Sequence, residues 1–200
     1  MKKGLLIVLT GPSGVGKKTI WSPIINNADL NLVFSVSMTT RKPRNGEVEG
    51  VDYFFRTKEQ FEEAIKNGEL LEYATFANNY YGTPISFVEK LRNEGKNVLL
   101  EIEPKGGLQV MGIAKRNHDD RFVSIFVAPQ HIEELRSRLL NRKTESEKVI
   151  EERLEQAKWE IKQQDHYKYV IINKQNYPER STEELYRILL NEIAENEKRD

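Results

Sequence analysis

The chain has no cysteine, and its 200 residues include only 2 tryptophans and 3 histidines. Without a thiol there is no disulfide, no thiolate metal site and no cysteine nucleophile. His118, His131 and His166 share no ligand spacing and read as structural or surface residues. Neither sign of charge is in excess, since Lys plus Arg and Asp plus Glu both number 31. A protein that grips long nucleic acid by charge is normally basic, so no nucleic-acid partner is expected, while a local anion site stays open. Long hydrophobic runs are missing too. The longest, Leu5–Leu9, falls far short of the ~20 residues that span a bilayer, and no membrane partner is expected. Met1-Lys2-Lys3-Gly4 leads into no cleavage-like segment. No signal peptide is read there, and the expected compartment is the cytoplasm. The length suits one domain with small subdomains.

What is present alternates. Leu5–Leu9 is a continuous apolar run ending in a glycine-rich turn, the pattern of a parallel strand buried on both faces. Similar runs recur at Asn97–Ile102, Arg121–Val127 and Tyr169–Ile172, with helical spacing between them. The fold class is therefore α/β, a parallel sheet flanked by helices. Helix starts are predicted at the capping boxes Thr57–Gln60, Thr144–Glu147 and Ser181–Glu184, and at Thr83-Pro84, a cap followed by proline. After Glu147, a stripe of Val149, Ile150, Leu154, Ala157 and Ile161 marks the buried face. From Phe34 to Thr83 the pattern changes to short aromatic and β-branched pieces (Phe34–Ser37, Tyr53–Phe55, Leu70–Phe76) between turns. This reads as a small, mostly β insertion with one helix.

Gly11-Pro12-Ser13-Gly14-Val15-Gly16-Lys17 matches G-x-x-x-x-G-K directly after the first strand. Glycines let the chain coil until several N–H groups converge on one phosphate, and Lys17 adds a mobile positive charge. Two features depart from the pattern. The Ser or Thr that usually follows the lysine and ligates Mg²⁺ is Lys18, and Thr19 comes one residue late, about 100° further round a helix. Pro23 falls inside the helix that the cradle opens. It removes the hydrogen bond back to Thr19 and biases Ser22 away from helical angles, so a break near Ser22 is predicted, with Pro23→Ala raising stability.

Three further clusters carry charge or aromatics. In Arg41-Lys42-Pro43-Arg44 an extended backbone with three residues per turn would point Arg41 and Arg44 the same way, as a fork for one phosphate. A solvated basic turn is the plain alternative. Asn79-Tyr80-Tyr81-Gly82-Thr83 follows Glu72. In Glu101-Ile102-Glu103 a period of two puts both carboxylates on one face at the C-terminal end of a strand, where ligands bind in open α/β sheets. Trp21 and Trp159 read as packing residues rather than base-stacking platforms.

Taken together, the motifs G-P-S-G-V-G-K, S-x-T-T-R-x-P-R-x-G-E-x-x-G-x-D-Y, E-Y-A, N-Y-Y-G-T, E-I-E-x-x-G and R-L-x-x-R-x-T-E, in this order from Leu5 to Asn173, resemble the guanylate kinase family. The resemblance implies a P-loop nucleoside monophosphate kinase with a core domain (1–33, 85–127 and 165–200), a GMP-binding insertion (34–84) and a helical lid (128–164). It implies ATP-dependent phosphorylation of GMP, and of dGMP, to GDP in purine metabolism. The substrates would be ATP and GMP, with Mg²⁺ accompanying the ATP. The chain would work as a monomer or homodimer.

Carried over by position, Gly11, Pro12, Ser13, Gly14, Val15, Gly16, Lys17, Lys18 and Thr19 form the ATP cradle, and Asn173 falls in the adenine-side loop. Arg41, Arg44, Tyr53 and Tyr81 correspond to ligands of the GMP phosphate, with Glu47 in the same motif. Ser37, Glu72, Thr83 and Glu103 correspond to the guanine readers. Glu101 corresponds to an acidic residue near the acceptor and the metal. No side chain is expected to bind the metal directly, Glu101 reaching it through water. Lys17, Arg41, Arg138, Arg142 and Arg153 are the implied catalytic cations. Lys143 replaces the lid glycine of R-G-T-E. An alternative with the same fold is a protein-binding module without kinase activity, a class that has lost the donor cradle.

Overall fold

The computed structural model describes residues 2–141, 147–174 and 176–199, Asn141 by its backbone alone. Its elements begin with Leu6–Thr10 (β1), Lys17–Trp21 (α1), Leu32–Phe34 (β2), Met38–Thr39 (β3), Phe54–Phe55 (β4), Lys58–Lys66 (α2), Leu70–Phe76 (β5), Asn79–Pro84 (β6) and Ile85–Asn93 (α3). Asn97–Glu101 (β7), Pro104–Arg116 (α4), Phe122–Pro129 (β8), Ile132–Asn141 (α5), Glu147–Ile161 (α6), Tyr169–Asn173 (β9) and Pro178–Lys198 (α7) follow.

β1 is buried along its whole length and so needs strands on both sides and helices on both faces. It has them. The main sheet has the order β2-β7-β1-β8-β9, and every pairing in it is parallel. Successive residues of β1 point to opposite faces. Leu5, Ile7 and Leu9 join a core with Ile20, Leu135, Leu154 and Leu189. Leu6 and Val8 join another with Val88, Val98, Leu100 and Val110. The register sets Leu9 beside Glu101, which brings the end of β7 next to the turn that leaves β1. Among the described residues no helix is long and apolar enough to cross a membrane.

The second sheet, β4-β3-β6-β5, lies between β2 and α3 in the chain and packs on α2. Its small core is Met38, Phe61, Ala64 and Leu70, with Phe61 stacked on Tyr80 at 5.1 Å between centroids. α2 begins at the predicted box, since Thr57 Oγ1 accepts from Gln60 N–H and Gln60 Oε1 accepts from Thr57 N–H.

Several local expectations are corrected. Phe34 pairs with Leu99 in the main sheet instead of opening the insertion. Thr83 does not cap a helix, because β6 continues through Pro84, which is itself the N-cap of α3. Ser181 lies inside α7, which starts at Pro178; its hydroxyl bonds Ile172 O instead. Val149 is exposed, while Ile150, Leu154 and Ala157 form the buried face of α6. α1 stops at Trp21, near the predicted break, yet Ser22 keeps helical angles (φ −61°, ψ −33°), against the expectation that Pro23 pushes it out of helical geometry. The box at Thr144–Glu147 lies outside the described residues apart from Glu147.

Candidate active site

The turn from β1 into α1 has three glycines at positive φ: Gly11 at 146°, Gly14 at 82° and Gly16 at 96°. Two of them leave no room for a side chain. A Cβ on Gly11 would stand 2.2 Å from Val127 O, and one on Gly16 would stand 2.8 Å from Asn173 Nδ2. The loop coils tightly, with Val15 N–H bonded to Pro12 O at 3.2 Å. α1 has only 5 residues, so the cradle depends on loop amides more than on a long helix dipole. Lys17 folds back over the loop, its Nζ donating to Gly11 O at 2.7 Å and Pro12 O at 3.5 Å.

Side chains from distant elements brace the loop. Asn173, at the end of β9, donates from Nδ2 to Val15 O at 2.7 Å, and its Oδ1 is buried without a partner. Arg138 on α5 donates to Val15 O at 2.6 Å and to Asn173 O at 3.3 Å. Arg153 on α6 reaches Ser13 Oγ at 3.3 Å. Lys18 and Thr19 are exposed. Arg142 and Lys143 lie outside the described residues.

Acids surround Lys17. Burial pulls its ammonium below the ordinary lysine range, against the opposing pull of Glu101, Glu160 and Glu103. Glu101 accepts from Trp21 Nε1–H at 2.5 Å. Glu103 is the exposed N-cap residue of α4. Glu160 on α6 is 3 % exposed and accepts from Gln156 at 2.9 Å; burial raises its carboxyl above the usual range, and Glu103 adds to the rise.

On the second sheet, Arg41 and Arg44 converge on the carboxylate of Glu47. Arg41 donates to it twice, at 2.7 and 3.0 Å, and the Arg44 amide donates at 2.7 Å. The Arg41 bonds, then the Arg44 amide, hold the Glu47 carboxyl below its ordinary range. Arg41 also sits 5.3 Å from the centroid of Tyr53, which meets Tyr81 edge-on at 6.1 Å. Arg41 thus sits between the Glu47 carboxylate, which the Arg44 amide also reaches, and the ring of Tyr53. Ser37 is half-buried in the link to β3.

Glu72 lies deeper. It is 7 % exposed and accepts from Thr83 Oγ1 at 2.6 Å. Burial raises its carboxyl above the usual range. Gly106 of α4 permits the close approach, since a Cβ there would stand 3.0 Å from Glu72 Oε2. Gln109 of α4 clasps the Tyr73 backbone on both sides, N–H to Oε1 at 3.2 Å and Nε2 to O at 3.1 Å, and so ties this strand to the core.

The residues singled out in the sequence form two groups. Lys17, Arg138, Arg153 and Asn173 meet at the cradle; Arg41, Arg44, Glu47, Tyr53 and Tyr81 meet on the second sheet. Glu72 with Thr83, and Glu101 with Glu103, lie on elements between them. Sequence reasoning missed Glu160 and the bond from Trp21. Glu160 had a legible signal: it follows Ala157 by one helical turn and Arg153 by two, a carboxylate aligned with a buried position. Trp21 had none, because its partner lies 80 positions away.

Among the described residues no three His, Asp or Glu side chains gather as a metal site. A nucleotide-borne Mg²⁺ needs none, since it keeps its waters and phosphate oxygens and takes only one or two carboxylates. One half-buried carboxylate beside the cradle, Glu101, fits that demand.

The family model described as guanylate kinase matches residues 3–192. The guanylate kinase of Malacoplasma penetrans is 49 % identical over 194 residues, covering 97 % of this chain and 96 % of the relative. That of Bacillus cereus is 52 % identical over 174 residues, 87 % of this chain and 82 % of the relative. The crystal structure of guanylate kinase from Anaplasma phagocytophilum superposes with a TM-score of 0.67 at 33 % identity, covering 96 % of this chain and 87 % of that one.

Proposed function

This chain belongs to the guanylate kinase family and is a kinase, and from that premise we propose that it transfers the γ-phosphoryl group of ATP to GMP (and dGMP), giving ADP and GDP. The bond from the γ-phosphorus to the ADP oxygen breaks, and a bond from that phosphorus to a GMP phosphate oxygen forms. Such a transfer asks the protein to position two anions and to neutralise spreading charge. The loop of Gly11–Lys17 holds the donor phosphates, with Lys17 swinging from Gly11 O to meet them. Arg138 and Arg153, already bonded to the loop, and Arg142 add positive charge around the transferring group. Asn173, which braces Val15 O, belongs to the adenine-side loop.

The acceptor phosphate binds among Arg41, Arg44, Tyr53 and Tyr81. Glu47 orients Arg41 and the Arg44 amide for it. Mg²⁺, held by nucleotide phosphates with Glu101 reaching it through water, supplies charge neutralisation when bound. The insertion that carries the second sheet and the segment 128–164 close over the core and exclude water, which protects ATP from hydrolysis.

The observation that carries the choice of GMP is the pair Glu72–Thr83. A buried carboxylate fixed on one side by a hydroxyl accepts from guanine N1–H and the 2-amino group, with Ser37 and Glu103 completing the edge. Adenine has an acceptor at N1 and no 2-amino group, so Glu72 would stay buried and unpaired, a mismatch that costs a factor of about 10⁴. The intact cradle with its lysine supports an enzyme over a protein-binding module. An ADP-release assay with each nucleoside monophosphate tests the proposal. Turnover with GMP and dGMP alone is expected; equal turnover with AMP would overturn the base assignment.

A further inference from the structure

The last turn of the cradle helix makes a contact that the transfer scheme does not use. Trp21 ends α1, one helical turn after Lys17 and on the same side of the helix. Its ring stacks on Phe34 with centroids 5.0 Å apart and planes 20° apart. Its Nε1–H donates to Glu101 Oε2 at 2.5 Å. Glu101 is the final residue of β7, in register with Leu9, two residues before the cradle begins at Gly11. The aromatic stack therefore anchors a hydrogen-bond donor at the strand end closest to the phosphate loop.

Lys17 shows what this achieves. Of the three acids whose charge acts on its ammonium, Glu101 acts most strongly. Even so, Lys17 Nζ donates to Gly11 O and Pro12 O, and Glu101 is engaged by the indole. A lysine paired with a carboxylate has spent the attraction it would offer to an arriving phosphate, and breaking that pair costs binding energy. A glutamate with three rotatable bonds, left without a donor at this strand end, is drawn toward the ammonium whose charge it already acts on.

We propose that Trp21 is a positioning residue of the phosphate cradle: by holding Glu101, it keeps that carboxylate from pairing with Lys17 and leaves the ammonium available to the donor phosphates. The proposal rests on the reading that Lys17 serves those phosphates. A packing role alone would need the Trp21 ring but not its N–H, and would be indifferent to the charge of Glu101.

The test is binding of ADP, measured by titration calorimetry with EDTA present, so that neither metal nor turnover enters. Trp21→Phe keeps the stack on Phe34 and removes the donor. It is expected to weaken ADP about tenfold, the size of one charge-assisted hydrogen bond. Glu101→Gln added to Trp21→Phe is expected to restore the affinity to within about twofold of Glu101→Gln alone, because a neutral amide cannot capture Lys17. If Trp21→Phe fails to fold, Trp21→Leu and its double variant with Glu101→Gln are measured instead: rescue of ADP affinity by Glu101→Gln, which a lost stack alone would not show, supports the inference, and no rescue overturns it. ADP affinity unchanged in Trp21→Phe, or a double variant as weak as Trp21→Phe, overturns the inference. Lys17→Ala separates the two layers. If it leaves ADP affinity intact, the reading of Lys17 itself fails. If it weakens ADP while Trp21→Phe does not, only the role of Trp21 fails.

Discussion

Thr83 Oγ1 donates to Glu72 Oε1 at 2.6 Å, and the two residues are 1 % and 7 % exposed. The hydroxyl satisfies only part of what a carboxylate accepts, and burial holds the Glu72 carboxyl above its usual range. The folded chain therefore keeps this proton to a higher pH than the unfolded chain does. Glu72 costs stability as pH rises from the ordinary value of about 4.3 through the raised folded one. The unliganded Glu72→Gln variant is expected to melt about 2–4 °C higher at pH 7.5, the equivalent of about 1 kcal/mol in a chain of this size. Guanosine, which has no phosphate to titrate, should bind about 10² more weakly to that variant. Wild-type affinity for guanosine should fall as pH drops toward the acid range, and affinity of the variant should stay flat. An unchanged melting temperature together with unchanged guanosine affinity would show that Glu72 is ordinary structural polarity.

Arg92 is fixed more completely. It is 1 % exposed, with Nε–H on Gly4 O at 3.0 Å and the two Nη groups on Asp119 at 2.7 and 2.9 Å. It joins the start of β1 to the chain just before β8, at the opposite end of β1 from the glycine loop. Arg92→Ala should cost about 3 kcal/mol, because Asp119 loses its counter-charge and Gly4 O its side-chain donor in a mostly buried place. Thermal unfolding should show a fall of about 6–12 °C, with the KM for GMP unchanged at 25 °C. A loss below 2 °C would mean that water replaces the guanidinium freely.

The central strands β7, β1 and β8 were legible in the sequence because burial on both faces writes them as continuous apolar runs, whereas the three-residue edge strand β2 leaves too short a run; the glycine loop was legible because only glycine accepts the angles at Gly11 and Gly16. Errors arose where a residue had two local uses and a distant partner decided between them. Thr83 before Pro84 has the local form of a helix cap, but Glu72 across the β5–β6 pair takes its hydroxyl. Ser181–Glu184 has the local form of a capping box, yet Pro178 already supplies a first-turn start. Phe34 has strand character in either sheet, and only the position of Leu99 selects the main one. For Arg41 and Arg44 the sequence suggested a phosphate fork together with Glu47; their pairing, with the Arg41 guanidinium and the Arg44 amide both on the Glu47 carboxylate, follows from the turn at Arg44–Glu47.

The turn around Pro23 points to the opposite outcome for Pro23→Ala from the one the sequence suggested. No helix continues past Trp21 for alanine to restore, because the chain turns at once, with Ile24 N–H on Trp21 O and Asn27 N–H on Ile24 O. Proline in a turn that already accommodates it stabilises by restricting the unfolded chain, by about 0.4–1 kcal/mol. Pro23→Ala should therefore lower the melting temperature by about 1–4 °C. A rise in melting temperature, as the sequence alone suggested, would mean that the proline strains the native turn.

The central claim is that donor and acceptor phosphates are held by separate cation sets, Lys17 at the cradle and Arg41 on the second sheet. The most direct measurement is a crossed calorimetric titration of ADP and GMP against Lys17→Ala and Arg41→Ala. Lys17→Ala should weaken ADP by about tenfold or more and GMP by less than about twofold. Arg41→Ala should do the reverse, and should leave guanosine untouched. Parallel loss of both ligands in either variant, or equal loss of GMP and guanosine in Arg41→Ala, would contradict the account.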